Sequence, residues 1–322
     1  MVELFLRLHL KMCPQRSALG VNVIFMGTPD YARMILHRLI QTQNINVVAV
    51  YTQPDKPVGR KKVMTPPEVK TLALEHSIDV YQPTRLRDEE TVSELLKIEC
   101  DYIVVAAYGQ ILPRKILDHA PCINLHASIL PAYRGASPIQ QTLLNGDSET
   151  GVTAMMMEEG LDTGDIIKIS TIKVDDNEMV ETLFERLTQV ASELTIDVLE
   201  NFESLNAVPQ DDSISTHCKK ITKANGEVAF INAVTLYNKY RAFTPWPGIF
   251  LQSGLKLKKI TLEDKNSSNK SGKILSIDSE SIVVGCEEGS LRIFSVQAPS
   301  KKEVDVLSFI NGKRLSVSDT LS

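Results

Sequence analysis

The chain has 322 residues, 43% of them hydrophobic and 23% charged, with a formal net charge of −5. That length favours two domains over one, and no apolar run approaches the ~18 residues of a membrane-spanning helix. Five scattered cysteines (Cys13, Cys100, Cys122, Cys218, Cys286) include no CxxC pair, which points to free thiols and against a disulfide framework or a metal site.

Residues 1–20 read as an N-terminal extension, because Glu3, Arg7 and Lys11 interrupt the apolar core a signal peptide needs. Val21–Met26 is a short apolar strand ending at Gly27. Pro29 then opens a helix in which Ala32, Ile35, Leu36 and Leu39 recur at helical spacing. Valine-rich Asn46–Thr52 is a second buried strand. A helix near Glu68–Glu75, a strand at Asp79–Tyr81, a helix near Glu89–Ile98 and strands at Tyr102–Ala106 and Cys122–His126 follow. Strands alternating with helices predict a Rossmann-like, doubly wound, mostly parallel sheet. Gly27-Thr28-Pro29 is not GxGxxG, so no nicotinamide site is expected.

Past Thr150 the pattern changes. Gly151–Met157 and Asp165–Val174 are strand-like runs around the loop 158–164, and Val180, Leu183, Leu187, Val190, Leu194, Val198 and Phe202 mark a long amphipathic helix closing a first domain, 21–205. Polar residues 206–215, with Pro209, read as a linker to a second domain, 216–322. There a helix near Val234–Arg241 precedes short β runs (Ile274–Ile277, Ile282–Val284, Leu291–Val296) that fit a small β-barrel. From Asn206 onward 16 Lys+Arg face 12 Asp+Glu, whereas the preceding part carries 19 against 28. A basic rear can meet phosphates, although such imbalance is also common on solvated surfaces.

In sheets of this kind ligands gather beyond the carboxyl ends of the strands, which draws attention to Asn124-Leu125-His126. Two apart on a strand, Asn124 and His126 point to one face. An amide there can donate to a developing oxyanion and an imidazole can move a proton; a polar strand end satisfied by backbone would have the same sequence. Asp162 sits between Gly160 and Gly164, where a turn aspartate capping its own backbone is the alternative.

Three linked motifs in order, Asn124-x-His126-x-Ser128-x-Leu130-Pro131, Tyr133-Arg134-Gly135-Ala136-Ser137-Pro138-Ile139 and Gly160-Leu161-Asp162-Thr163-Gly164-Asp165, resemble the folate-dependent formyltransferase family over roughly residues 21–310. The resemblance implies a catalytic triad of Asn124, His126 and Asp162, a folate-side segment Ser128, Ile129, Leu130 and Pro131, and an OB-like second domain that binds tRNA. Ile129 stands where the family usually has Leu, and Ala127 where Gly is common; both changes are conservative. Gln53–Pro67 resembles the insertion loop with which tRNA-acting members hold the acceptor stem, and its Arg60, Lys61 and Lys62 would meet phosphates. A solvated basic turn is the bland alternative. Arg241–Pro247 looks like the family's C-terminal signature, with Trp246 as a core anchor. The implied reaction moves the formyl group of 10-formyltetrahydrofolate, without a metal, to the amino group of methionine on initiator tRNA. A monomer in a bacterial-type cytoplasm is the expected setting, with an organellar matrix as the lesser alternative. The rival readings are formyl transfer to a nucleotide-sugar amine, disfavoured by the basic loop, and an inactive tRNA- or folate-binding module, disfavoured by the filled triad.

Overall fold

The structure, a computed structural model, describes residues 20–59 and 61–321; residues 1–19 of the expected extension, and Arg60, lie outside the described residues. The described chain divides into two compact units, and they interleave. Residues through 134, 151–172 and 184–217 form the first; 135–150, 173–183 and 218 onward form the second. The expected division into 21–205 and 216–322 was linear, because composition along the chain cannot register segments that cross between units.

The first unit is built on a seven-stranded sheet. In chain order come β1 (Val21–Gly27), α1 (Asp30–Gln41), β2 (Ile45–Tyr51), the short strands β3 (Lys56–Val58) and β4 (Val63–Thr65), α2 (Glu68–Glu75), β5 (Val80–Tyr81), α3 (Glu89–Leu95), β6 (Tyr102–Ala106), α4 (Arg114–Leu117) and β7 (Cys122–His126). After β8 (Arg134–Gly135) and α5 (Pro138–Asn145), the chain returns as β9 (Glu149–Met156), β10 (Ile166–Lys173) and the long helix α6 (Val180–Asn201). The spatial order is β10-β9-β7-β6-β1-β2-β5. Pairing is parallel from β5 to β7 and antiparallel between β7 and β9. The central strands are apolar almost throughout because helices cover both faces of a parallel sheet; Ile24, Met26, Ala49, Ile103 and Val105 form its core. The sheet starts at β1, winds outward through β2 to β5, and resumes on the other side at β6. The topological switch point therefore falls between β1 and β6, and the carboxyl end of β7 opens beside it.

Residues 206–215, expected as a linker, are bound to this unit. Val208 exchanges two backbone hydrogen bonds with Ile166, of 2.8 and 2.9 Å. The Gln53–Pro67 loop carries a β3–β4 ladder with Lys56 opposite Thr65.

The second unit joins α5 and α7 (Ala233–Phe243) to a six-stranded antiparallel sheet. Preceded by β11 (His217–Cys218), its strands are β12 (Ile249–Phe250), β13 (Lys256–Asp264), β14 (Ile274–Ile277), β15 (Ile282–Gly285), β16 (Ser290–Gln297) and β17 (Val304–Asp305), followed by α8 (Val306–Lys313). The Asn232 side chain caps α7 by accepting from the Thr235 amide. β13 is the longest of these strands and had no clear sequence signal. Its register shifts near Lys259 break the alternation of buried Leu257 and Ile260 with lysine. Trp246, expected as a core anchor, is 61% exposed, and Phe243 is the buried aromatic of that segment. Cys100, Cys122, Cys218 and Cys286 are free, and burial pushes the Cys122 thiol up to about 12, so it stays protonated at neutral pH. No helix of the described residues is long and apolar enough to cross a membrane.

Candidate active site

β7 delivers its carboxyl end between two neighbours, with Asn124 opposite Val105 of β6 and Met155 of β9, and His126 opposite Thr153. Asn124 is half-buried, and among the described residues nothing hydrogen-bonds to its side-chain amide. A half-buried amide without a protein partner is available to water or to a ligand.

His126 is 6% exposed. Its Nε2 lies 2.9 Å from the Tyr133 carbonyl oxygen, and its Nδ1 lies 3.7 Å from Asp162 Oδ2. A carbonyl can only accept, so Nε2 carries the proton in this arrangement. Nδ1 then faces a carboxylate, and a second proton on the ring would give Asp162 a donor. Both residues that flank the ring hold left-handed backbone: φ is +62° at Tyr133 and +54° at Asp162. Such conformations are strained for non-glycine residues and persist where surrounding structure imposes them.

The Asp162 loop is closed by tight approaches. A Cβ on Gly164 would lie 1.9 Å from the Met156 carbonyl oxygen, so only glycine fits there. Next to it the Met156 amide donates to the Asp165 carbonyl at 2.8 Å and shuts the turn between β9 and β10. The Gln210 amide adds two further bonds, to the carbonyls of Asp162 and Gly164.

Of the four residues expected on the folate side, Ser128 and Leu130 are buried, while Ile129 and Pro131 are half-buried. The Ser128 hydroxyl donates to the Ala132 carbonyl at 2.6 Å. Thr153 pins the segment from below, its hydroxyl donating to the Ser128 carbonyl at 2.6 Å and accepting from the Leu130 amide at 3.1 Å. The segment is thus a fixed wall whose free edges are Ile129 and Pro131.

The β3–β4 hairpin has the opposite character. All six strand residues are exposed, among them Val58, Val63 and Met64 at 56–60%, and Lys61 and Lys62 stand exposed at the turn. Among the described residues its ties to the rest of the unit lie at the base. Asp55 accepts from Lys70 Nζ at 2.9 and 3.0 Å and from Gln82 Nε2 at 2.8 Å. The Gln82 bond first, and Lys70 second, hold the Asp55 carboxyl below the ordinary carboxylate range.

Of the expected triad, His126 and Asp162 come together directly, and Asn124 takes its place on the same strand face two residues before His126. Sequence reasoning assigned no role to Tyr133, Thr153, Arg134 or Gln210. Tyr133 and Arg134 stood inside a quoted motif without a chemistry of their own, and Gln210 lay in a stretch whose composition suggested a linker.

Comparison with known proteins identifies the family. Residues 21–199 match the formyl transferase family and 220–314 match the formyl transferase C-terminal domain. The chain is 67% identical over 302 residues to the methionyl-tRNA formyltransferase of Sulfurimonas denitrificans, covering 94% of this chain and 100% of that protein. It is 53% identical to the enzyme of that name from Nitratiruptor sp., over 93% of this chain and 99% of that one. Among solved structures, the N-formyltransferase from Helicobacter canadensis with folinic acid and dTDP-3-aminofucose superposes with a TM-score of 0.65 at 17% identity, over 85% of this chain and 99% of that one. HypX from Aquifex aeolicus with tetrahydrofolic acid gives 0.58 at 16%, over 94% of this chain and 49% of that one; at such identities the likeness shows a common fold. Two matched domains and close, full-length relatives place this chain in the formyl transferase family, among its methionyl-tRNA formyltransferases.

Proposed function

We infer that this chain transfers the formyl group of 10-formyltetrahydrofolate to the amino group of methionyl-tRNA, and that its acceptor is the initiator species used in the cytoplasm to begin translation. The observation that carries the chemistry is the unpartnered amide of Asn124 two residues from a buried imidazole backed by a carboxylate. The residues fit a folate donor: the wall 128–131 offers the apolar edges of Ile129 and Pro131 beside an amide whose donor is unused. The bound folate supplies the formyl carbon.

The neutral methionyl amine attacks that carbon, and the bond from it to the folate nitrogen breaks. Asn124 donates to the formyl oxygen as negative charge develops there, and the His126 imidazole, held at Nε2 by the Tyr133 carbonyl, turns Nδ1 toward Asp162. Asp162 orients the imidazole and helps pass the amine's proton through water to the departing nitrogen. The exposed Lys61 and Lys62, with Arg60, hold acceptor-stem phosphates. That charge argues against a nucleotide-sugar acceptor, which needs no basic arm.

The test is formyl transfer from 10-formyltetrahydrofolate to three acceptors: methionyl initiator tRNA, uncharged initiator tRNA and a nucleotide-sugar amine. Product with the charged tRNA alone is expected. Turnover of the sugar amine without turnover of the charged tRNA would replace this reading with the rival one.

A further inference from the structure

Resting on the reading of Asp162 as the carboxylate partner of His126, we propose that Gln210 and Arg134 form a positioning clamp that sets where Asp162 stands during formyl transfer. A glutamine amide has two acceptor sites and two donor hydrogens, and Gln210 uses all four. Its Oε1 accepts from Arg134 Nε at 3.0 Å and from Nη2 at 2.8 Å. Its Nε2 donates to the Asp162 carbonyl at 3.0 Å and to the Gly164 carbonyl at 2.7 Å. An amide held at every valence cannot turn or flip without breaking several bonds at once, so it fixes the two carbonyls on either side of Thr163.

Arg134 is itself held firmly. Its side chain is 4% exposed, and Nη2 also meets Asp212 Oδ1 at 2.7 Å. A buried guanidinium needs such partners, and its planar fork fixes the orientation of whatever accepts from it. Arg134 directly follows Tyr133, whose carbonyl accepts from His126 Nε2. The clamp therefore joins both sides of the imidazole: Tyr133 through the peptide bond to Arg134, and Asp162 through Gln210. Asp162, at φ +54°, sits where a released loop would relax away. Residues 206–215 thus complete the site instead of merely leading out of it.

Gln210→Glu separates the clamp from a simpler role. A glutamate pairs with Arg134 at least as well, because the bond becomes charge-assisted. It also turns an oxygen without hydrogens toward the Asp162 and Gly164 carbonyls, so the loop loses both donors. If Gln210 served only to satisfy Arg134, this variant would behave as wild type. If it positions Asp162, the chemical step suffers while the fold holds.

The experiment uses the full chain and the variants Gln210→Glu, Asp162→Asn and the double variant. Each is read by single-turnover formylation of methionyl initiator tRNA at saturating folate donor, by both KM values, and by the His126 ring resonances, assigned from their loss in His126→Ala. Gln210→Glu is expected to slow the chemical step about 10- to 100-fold, the scale of a misplaced catalytic group. Both KM values should stay near wild type, and the His126 resonances should shift. In the Asp162→Asn background the same change should add almost nothing, since residues that act through one another are not additive. Arg134→Lys, which keeps the charge but loses the fork, should give a smaller loss of the same kind. Fully additive losses, or unshifted resonances at a wild-type rate in Gln210→Glu, would overturn the clamp. If Asp162→Asn alone turned over normally, the reading of Asp162 would fail instead. The ring resonances need no turnover and would still decide the clamp.

Discussion

The β7 end and the β3–β4 hairpin belong to the same unit, follow strands of the same sheet, and are built on opposite terms. At the β7 end His126 is buried, its two neighbours carry strained backbone, and Tyr133 with the more distant Thr153 and Gln210 locks the surrounding segments. The hairpin exposes every strand residue and is tied at its base through Asp55 and Gln53. Chemistry needs reacting groups fixed to within a fraction of an ångström. Holding a large, charged acceptor needs reach and cations, which water can screen and the partner can reorganise. On the function proposed above, the contrast would divide the labour, with bond-making at the buried end and acceptor capture on the exposed one.

The largest effects should follow from the buried end. His126→Ala is expected to lower kcat about 100- to 10,000-fold for lost proton transfer, and Asn124→Ala about 100- to 1000-fold for a lost oxyanion donor. Circular dichroism should show both folded. A folded His126→Ala enzyme with near-native kcat would remove the imidazole from the mechanism and with it the division proposed here.

Asp162→Asn should come next. It should slow chemistry more than it weakens folate binding, because the carboxylate is proposed to act on the imidazole. Pre-steady-state rates and folate titration separate the two, and a loss lying wholly in folate affinity would make Asp162 a binding residue.

At the hairpin, Lys61→Ala and Lys62→Ala should each flatten the dependence of tRNA affinity on salt by a slope of about one if each meets a phosphate. Arg60→Ala should cost more, since a guanidinium fork can hold a phosphate at two points. Folate affinity should stay unchanged in all three. The smallest effect belongs to Asp55. Its carboxyl is held below the ordinary range, so the anchorage it gives is complete above that range and fades as pH falls through the lowered value. Asp55→Asn should reduce tRNA use by less than about fivefold at neutral pH, the scale of an exposed ion pair. In the wild type, tRNA affinity measured by titration should persist at mildly acidic pH and drop only in stronger acid.

How far the sequence could be read follows the same contrast. The β strands of the first unit were plain because a parallel sheet covered on both faces demands apolar runs such as Tyr102–Ala106. Asn124 and His126 were found together because a strand's two-residue period puts them on one face. Their link to Asp162 came from motif resemblance, since spacing carries no information about a contact across 36 residues. Gln210 and Thr153 stayed hidden for the same reason: each acts through long-range hydrogen bonds, and nothing in their local sequence differs from an ordinary polar position. The β3–β4 pairing was masked by Pro57, Gly59 and three adjacent basic residues, which mark a turn more strongly than the strands flanking it.

The division of labour is tested most directly by single-turnover formylation of methionyl initiator tRNA over a range of tRNA concentrations, comparing the triple variant Arg60→Ala/Lys61→Ala/Lys62→Ala with His126→Ala. The triple variant should need far more tRNA but approach the wild-type rate at saturation, whereas His126→Ala should saturate normally at a rate at least about 100-fold lower. A triple variant with unchanged tRNA dependence, or one whose saturated rate collapses like that of His126→Ala, would contradict the account.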